Sequence, residues 1–291
     1  MIKAIQYLHG PNWLPACVTC LSLRKNGQLK DATYTLYTTD DSILTNPYVR
    51  AVFDCVQRPI CPWQTVWSMN LHYEMNHPSH KGSIKAWPKN FRKFALTKYL
   101  CFLWEPCEGN DKVMFLDNDT LITGDVNPAF PQMGWAWSAR SWTNRCRRIN
   151  GGVLAKKAGF PTEHFTEPVL SEEKLLEALK ISRLDDEACA AWTMVHYGDK
   201  DLWPLARGYN HMIACKPDGG EVIWHFTAPE KPWLGRYLDV NRSAYERWES
   251  TAREVCEMVG YPLDGAGVRE EWKWPGAIGE SEKTANWKFR M

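Results

Sequence analysis

The sequence predicts an α/β protein with a mostly parallel sheet and helices on both sides. In its first half, short apolar segments alternate with longer segments of helical periodicity, an order that is typical of parallel sheets. The segment Lys112–Asp117 is continuously hydrophobic at its centre, as expected for a strand that is buried on both faces. With 291 residues, of which 44% are hydrophobic and 24% charged, the chain can bury a large core.

The individual elements follow from periodicity, β-branched or aromatic content and turn residues. Asn26-Gly27 ends the first helix, and Gly260 ends the last one, which the capping-box pattern Ser243-Ala-Tyr-Glu246 begins. After this helix the chain becomes irregular. The predicted strands are 2–8, 33–38, 112–117, 135–138, 152–155 and 221–225. The predicted helices are 16–25, 91–104, 172–179, 187–197 and 243–259.

Composition excludes some classes of protein. No segment reaches the roughly 18 uninterrupted apolar residues of a membrane-spanning helix, and residues 1–6 lack the apolar centre of a signal peptide, so we expect a cytoplasmic location. The net charge of +1 does not indicate a nucleic-acid partner. A local basic cluster nevertheless fits either a solvated loop or a phosphate contact. Its members are Arg140, Arg145, Arg147 and Arg148.

The ten cysteines are spread along the chain and do not resemble the disulfide framework of a short secreted protein. We expect reduced thiols that are mostly buried. One Cys-x-x-Cys pair, Cys17 and Cys20, has the spacing of zinc ligands, but no second such pair completes a set of four. A structural zinc site is therefore not favoured.

Asp117 and Asp119 follow the most hydrophobic of the predicted strands. Ligands of open α/β sheets bind beyond the carboxyl ends of the strands, so two carboxylates are well placed there for function. On an extended backbone both side chains point to one side and Asn118 to the other. Such a pair can hold Mg²⁺ or Mn²⁺ against phosphate oxygens. The alternative is a turn with good local hydrogen bonds.

Later in the chain, His225–Trp233 combines a histidine with the tripeptide Lys231-Pro-Trp. This segment and Val113–Thr120, which contains the two aspartates, resemble the corresponding motifs of the glycogenin-like glycosyltransferases of family 8, which have the GT-A fold. The resemblance implies a retaining, metal-dependent transfer of sugar from a nucleotide sugar, with UDP as the nucleotide. It also implies three ligands for Mn²⁺ or Mg²⁺: Asp117, Asp119 and His225.

Further segments agree with this family in the same order along the chain. By that register, Lys93 contacts the phosphate or the sugar, and Lys231 grips the diphosphate. Asn150-Gly-Gly-Val-Leu resembles the segment that approaches the donor sugar, although a plain turn that enters a strand would look the same. The implied donor contacts are Leu8, Asn12, Trp13, Asp40, Lys93, Asn118, Gly151, Gly152, Ala228 and Lys231. The residues implied to act on the sugar are Asn150, Asp185 and Asp186.

Two departures from the family pattern affect this interpretation. Asp186 stands where the family has glutamine, and it could be a nucleophile or could merely cap the following helix. Glu187 replaces the family's second aspartate. Ala228 stands where the family has glycine, which implies a weaker grip on the diphosphate. The resemblance covers residues 1–240, and we assign residues 241–291 to a C-terminal helix and an irregular tail that could select the acceptor.

The sequence thus predicts a transferase that moves a sugar from a UDP-sugar to a hydroxyl acceptor, most simply a saccharide. Hydroxymethylated bases of viral DNA are an alternative acceptor, which the arginine cluster and the 16 tryptophans leave open. A nucleotidyltransferase is less favoured, because His9-Gly-Pro-Asn-Trp after the first strand is not a glycine-rich phosphate loop. A catalytically silent sugar-binding or scaffold protein would have little use for the complete set of implied ligands.

Overall fold

We analysed a computed structural model of the chain. It describes residues 1–69, 89–130, 135–140, 148–181, 185–197, 202–205, 207–213, 215–226, 231–234 and 241–262. The strands in this part of the chain are β1 (Ile2–Leu8), β2 (Ala32–Thr38), β3 (Cys55–Gln57), β4 (Lys112–Leu116), β5 (Thr120–Ile122), β6 (Trp135–Arg140), β7 (Arg148–Lys157), β8 (Leu202–Leu205), β9 (His211–Met212) and β10 (Ile223–His225).

Seven of these strands form one sheet in the order β3-β2-β1-β4-β7-β6-β8. Strands β1, β2, β3 and β4 are parallel to one another, and β6 is parallel to β8. Strand β7 runs antiparallel to both of its neighbours, β4 and β6. The prediction of a mostly parallel sheet is therefore confirmed. Because β7 is reversed, its amino-terminal end lies at the same edge of the sheet as the carboxyl ends of β1, β2 and β4.

A smaller sheet lies beside this edge, in the order β5-β10-β9. Strand β5 begins three residues after Asp117, and β10 pairs with it in antiparallel register, so that His225 is opposite Thr120. The pairing has a direct consequence for the site. It brings His225, which is distant in sequence, beside the two aspartates.

The described helices are α1 (Leu14–Asn26), α2 (Asp41–Leu44), α3 (Pro47–Val52), α4 (Trp63–Ser68), α5 (Lys89–Trp104), α6 (Thr162–Leu170), α7 (Glu172–Ile181), α8 (Asp185–Tyr197) and α9 (Arg242–Val259). Short 3₁₀ turns lie at Asn127–Ala129, Arg207–Asn210 and Pro232–Leu234. None of the helices in the described segments has both the length and the apolar character that a membrane crossing needs.

The large sheet separates two layers of core, because side chains alternate between its faces. In β1, Ala4 and Leu8 belong to the layer that α1, α3 and α9 cover. Ile5 and Tyr7 belong to the layer that α5, α6, α7 and α8 cover. Helix α9 buries Trp248 completely in the first layer and packs on α1. It thus shares a core with the residues of β1, and the predicted division after residue 240 stays a prediction.

Most predicted elements are present, but one local interpretation was wrong. Helix α9 does not begin with a capping box: its N-cap residue is Asn241, and Ser243 lies inside the helix. Asn150 and the glycines after it belong to β7, which agrees with the predicted strand 152–155 and not with the alternative of a plain turn. Gly260 ends α9 as predicted, with a left-handed φ of 68° that a side chain would disfavour. The nine cysteines in the described segments are free, as expected for reduced thiols.

Candidate metal centre

Asp117 and Asp119 lie where β4 ends, at the edge of the large sheet. The backbone N–H of Asp117 donates to the carbonyl of Gly152 at 2.8 Å, which ties the first aspartate to β7. We expected an extended backbone here from the sequence, but the chain turns at Asn118 and Asp119. The N–H of Phe226 then donates to the carbonyl of Asp119 at 2.8 Å. The turn, held by β7 and β10, directs both carboxylates into one space.

Asn118 points away from these carboxylates, as the sequence predicted. Its amide nitrogen donates to the carbonyl of Tyr7 at 2.7 Å, and its amide oxygen accepts from the side chain of Gln6 at 3.0 Å. These two bonds join the turn to β1. Asn118 therefore supports the position of the aspartates, and its predicted contact with the donor stays a prediction.

The imidazole of His225 completes a group that can hold a metal ion. One ligand atom from each of Asp117, Asp119 and His225 lies within 4.8 Å of the others. The Nε2 atom of His225 is 3.1 Å from Oδ1 of Asp119 and 3.7 Å from Oδ2 of Asp117. His225 itself is only 3% exposed. Two hard carboxylates with one imidazole suit Mn²⁺, and Mg²⁺ fits the carboxylates.

Two lysines contact these carboxylates. The Lys98 ammonium lies 2.9 and 3.0 Å from the two oxygens of Asp117 and 3.3 Å from Oδ2 of Asp186. The Lys231 ammonium donates to Asp119 and to the carbonyl of Phe226. Lys98 comes from α5, and Lys231 stands immediately before the 3₁₀ turn 232–234. Each aspartate therefore has its own cation in the metal-free chain.

The buried charges of the site shift one another's pKa values. Burial lowers the pKa of Lys98, but Asp117 and Asp186 outweigh burial and raise this pKa above its ordinary value. Burial likewise opposes ionisation of Asp119, yet Lys231 and His225 hold its pKa well below the ordinary value. The pKa of Asp117 is raised, by burial and by the neighbouring Asp119, despite the opposing effect of Lys98.

The donor atoms agree with a metal site. The carboxylates of Asp117, Asp119 and Asp186 lie close together, and the ammonium groups of Lys98 and Lys231 contact them. With the imidazole of His225, the two aspartates offer oxygen and nitrogen ligands that fit a divalent metal.

Two glycines in β7 allow the side chains of Asp186 and His225 to lie close to the strand. A Cβ atom at Gly151 would lie 2.2 Å from Oδ2 of Asp186, and one at Gly152 would lie 2.2 Å from Cε1 of His225. Both distances are far below any real contact between such atoms. The absence of side chains therefore lets Asp186 and His225 lie directly on the strand. This close approach explains the glycine pair better than a turn does.

Asn150 and Asp186 lie beside the aspartates, as the family resemblance implies for residues that act on the sugar. Asn150 is 5% exposed, and its amide nitrogen donates to Oε1 of Glu187 at 3.3 Å. Asp186 is 6% exposed and faces Lys98 from the first turn of α8. The side chain of Asp185 and the whole of Ala228 lie outside the described residues, as do the side chains of the arginine cluster.

The residues assigned to the nucleotide lie at the same edge of the sheet, but two are packed inside. Leu8 belongs to the core, and Trp13 is 9% exposed. The Trp13 ring stacks on Tyr48 at 5.3 Å between centroids and meets the edge of Tyr261 at 5.5 Å. Asn12 is partly exposed. Asp40 caps α2 by accepting from the N–H of Ser42 at 2.9 Å.

The structure brings Lys98 to the aspartates and places Lys93 elsewhere. The Lys93 ammonium donates to the carbonyl of Trp67 at 2.6 Å, so its predicted contact with the donor stays a prediction. Lys98 was missed because the register of the family motif favoured Lys93. One signal could have revealed it, since Lys98 is the single charge between the apolar residues Leu96 and Leu103. Buried lysines of this kind are almost always paired.

Comparisons with known proteins agree with this architecture. No protein-family model matches the chain, and no curated protein sequence matches it. Among solved structures, an active-site mutant of LgtC superposes with a TM-score of 0.60 at 12% identity, over 87% of this chain and 95% of that one. The galactosyltransferase LgtC in complex with donor and acceptor sugar analogs gives 0.55 at 11% identity, over 87% and 95%.

The glycosyltransferase GlyE of Streptococcus pneumoniae TIGR4 is also similar, with a TM-score of 0.53 at 14% identity. The match covers 87% of this chain but only 63% of that protein. At such low identity these similarities establish the architecture and not the activity. The chain has the GT-A fold of glycosyltransferases, with a candidate Asp-Asp-His metal site at the edge of its central sheet.

Proposed function

We propose that this protein is a metal-dependent glycosyltransferase that uses a nucleotide sugar as donor. The observation that carries the proposal is the convergence of Asp117, Asp119 and His225 at the carboxyl edge of a GT-A sheet. A turn with good local hydrogen bonds would not need a buried imidazole from another strand.

In this proposal the three side chains would hold Mn²⁺ or Mg²⁺. The ion would supply positive charge that stabilises the departing nucleoside diphosphate. Asp117 is anchored to β7 through its backbone, and Asp119 is anchored to β10. The ligands are thus fixed by two different sheets, which keeps their geometry constant before the donor arrives.

Lys98 and Lys231 have a double role. Without metal, each ammonium neutralises one aspartate. When the aspartates bind metal, both cations become available to the phosphate and sugar. Lys231 contacts a carboxylate and one backbone carbonyl, so it can turn towards the diphosphate, as the family resemblance implies. Lys98 is 8% exposed and lies between Asp117 and Asp186, so it remains in the sugar pocket.

Asp186 is the described residue that we assign to the reacting centre. Its carboxylate lies on Gly151, which cannot block it, and Lys98 fixes one of its oxygens at 3.3 Å. A carboxylate in this place can stabilise the positive charge that develops on the sugar, or attack the anomeric carbon. Either role agrees with the retaining chemistry that the family resemblance implies. Asn150 and Asp185 complete the proposed sugar pocket.

For the remaining parts we retain the sequence-based assignments. We propose UDP as the nucleotide, a base pocket near Leu8, Asn12, Trp13 and Asp40, and a saccharide hydroxyl as the acceptor. The Trp13 ring stacks on Tyr48, and Tyr261 packs against both rings, so an aromatic cluster borders this proposed pocket.

The proposal is tested by incubation of the protein with Mn²⁺ and a panel of nucleotide sugars, without acceptor. We expect one donor, a UDP-sugar, to be hydrolysed slowly and to raise the melting temperature. Asp119→Ala should abolish metal-dependent UDP release. Asp125→Ala is the matched control, because this carboxylate accepts from the backbone N–H and the side chain of Asn127 and is not one of the three proposed ligands. Unchanged turnover in Asp119→Ala, or no effect of any donor, would refute the proposal.

A further inference from the structure

A chain of buried side-chain amides lies behind His225. Asn210, the last residue of the 3₁₀ turn Arg207–Asn210, is 6% exposed. Its amide oxygen lies 2.9 Å from Nδ1 of His225, and its amide nitrogen lies 2.9 Å from Oδ1 of Asn150. Asn150 in turn reaches Glu187 at 3.3 Å. Four buried polar residues are thus linked in one series behind the metal site.

One backbone group sets the direction of every hydrogen bond in this series. The N–H of Gly152, which can only donate, points at 3.0 Å to one atom of the Asn150 amide, so that atom must be the oxygen. The atom of Asn210 that meets this oxygen must therefore be its NH₂ group. The other amide atom of Asn210, which faces His225, is then its oxygen, an acceptor.

It follows that Nδ1 of His225 carries a proton, which it donates to Asn210. A neutral imidazole has only one N–H, so Nε2 presents its lone pair. That lone pair faces Oδ1 of Asp119 at 3.1 Å and Oδ2 of Asp117 at 3.7 Å. In the neutral tautomer these three atoms are all acceptors, which suits a divalent cation.

We infer that Asn210 is a positioning residue that holds His225 as an Nε2 metal ligand and connects this ligand to the sugar pocket. The inference rests on the proposed function, because it takes the three acceptors as a metal site. Through Asn150 the same series reaches Glu187 on α8, next to Asp186. Metal ligand and sugar pocket thus share one chain of hydrogen bonds.

The position of the His225 ring makes its hydrogen bond with the Asn210 amide important for the orientation of the ring. The His225 ring lies directly on the backbone of Gly152, where even a methyl group would not fit. Partners that bind the second nitrogen of a ligating histidine fix its orientation, and their loss typically lowers metal affinity about 10–100-fold. We expect the same range for loss of the Asn210 oxygen.

The test measures Mn²⁺ affinity by electron paramagnetic resonance of free Mn²⁺, without nucleotide, in the full-length chain. Asn210→Ala removes the acceptor and should weaken binding about 10–100-fold. Asn210→Asp loses the donor to Asn150 but keeps an oxygen for Nδ1–H, so it should bind Mn²⁺ more tightly than Asn210→Ala, which a merely structural role would not predict. Asn46→Ala is the matched control: this asparagine caps α3 by accepting from the backbone N–H groups of Tyr48 and Val49. It should lose stability but keep its Mn²⁺ affinity.

The outcomes separate this inference from the proposed function. Wild-type affinity in Asn210→Ala, or equal weakness of the Ala and Asp variants, overturns the role of Asn210 and leaves the transferase proposal intact. A wild-type chain that binds Mn²⁺, shows the Asn210 effect and yet acts on no nucleotide sugar overturns the proposed activity alone. A wild-type chain that binds no Mn²⁺ overturns the metal centre and the inference with it.

Discussion

Gly152→Ala adds one methyl group beneath the proposed metal ligand. The new Cβ atom would lie 2.2 Å from Cε1 and 2.6 Å from Nδ1 of His225. Carbon atoms make contact at about 3.5–4.0 Å, so the ring must recede by more than about 1 Å. At Gly152, β7 is held to β4 by the hydrogen bond from the N–H of Asp117, and it bulges out of its pairing with β6 between Asn150 and Leu154.

A displacement of this size removes His225 from the coordination sphere. Metal–ligand bonds tolerate deviations of about 0.2 Å, several times less than the required movement. Loss of a supporting residue already costs about 10–100-fold in affinity, so loss of the ligand itself should cost at least about 100-fold. Overpacking should also lower the free energy of unfolding by about 1–3 kcal/mol.

The assay is a Mn²⁺ titration of the folded variant, with circular dichroism to verify the fold. Gly124→Ala is the matched control, because its Cβ atom would meet only the Val222 side chain at an ordinary 3.6 Å. The control should bind Mn²⁺ like the wild type. Wild-type affinity in Gly152→Ala would refute the assignment of His225 as a ligand, because the clash leaves the ring no room to stay.

Two further predictions concern buried lysines. Lys98→Met leaves Asp117 and Asp186 without their cation. In EDTA this change should lower the free energy of unfolding by about 3–5 kcal/mol. In Mn²⁺ the loss should be smaller, because the ion replaces the missing charge. Equal losses in urea unfolding under both conditions would contradict the shared site. Burial lowers the pKa of Lys156 to about 8, while the unfolded chain keeps this proton up to about pH 10.4. Between these values the unfolded state binds more protons, so stability relative to Lys156→Met should rise with pH, by about 1 kcal/mol per unit. Parallel pH profiles of the two proteins in urea unfolding would contradict this prediction.

Secondary structure was predicted correctly from the sequence where the local residue pattern and the burial of the residues indicate the same element. The strand that precedes Asp117 is hydrophobic throughout because the sheet is covered on both faces, and the structure has β4 there. Gly260 ends α9 because the left-handed conformation favours glycine, whatever the rest of the fold. The pattern Ser243-Ala-Tyr-Glu246 failed as a helix start, because residues of a capping box are also good residues inside a helix. Here the chain enters the helix from Asn241.

Neither Lys98 nor Asn210 was predicted, for related reasons. Their partners Asp117 and His225 are 19 and 15 residues away, respectively, and belong to other elements. Periodicity reports which face of an element is buried, but not which polar group of another element it meets there. The polarity of the Asn210 amide depends on an even more remote group, the backbone N–H of Gly152. Only the assembled strands bring these groups together.

The candidate metal site at the two aspartates therefore depends on both the sequence and the tertiary structure. The sequence by itself determined that β4 is buried, that two carboxylates follow it, and that a histidine and a lysine stand far downstream, since these depend on residue type and local period. Tertiary structure alone decided that the chain turns at Asn118, that β10 brings His225 to the turn, and that Lys98 supplies the balancing charge. The reason is physical: a metal site requires ligand atoms within a few ångströms, and pairing between distant strands sets those distances.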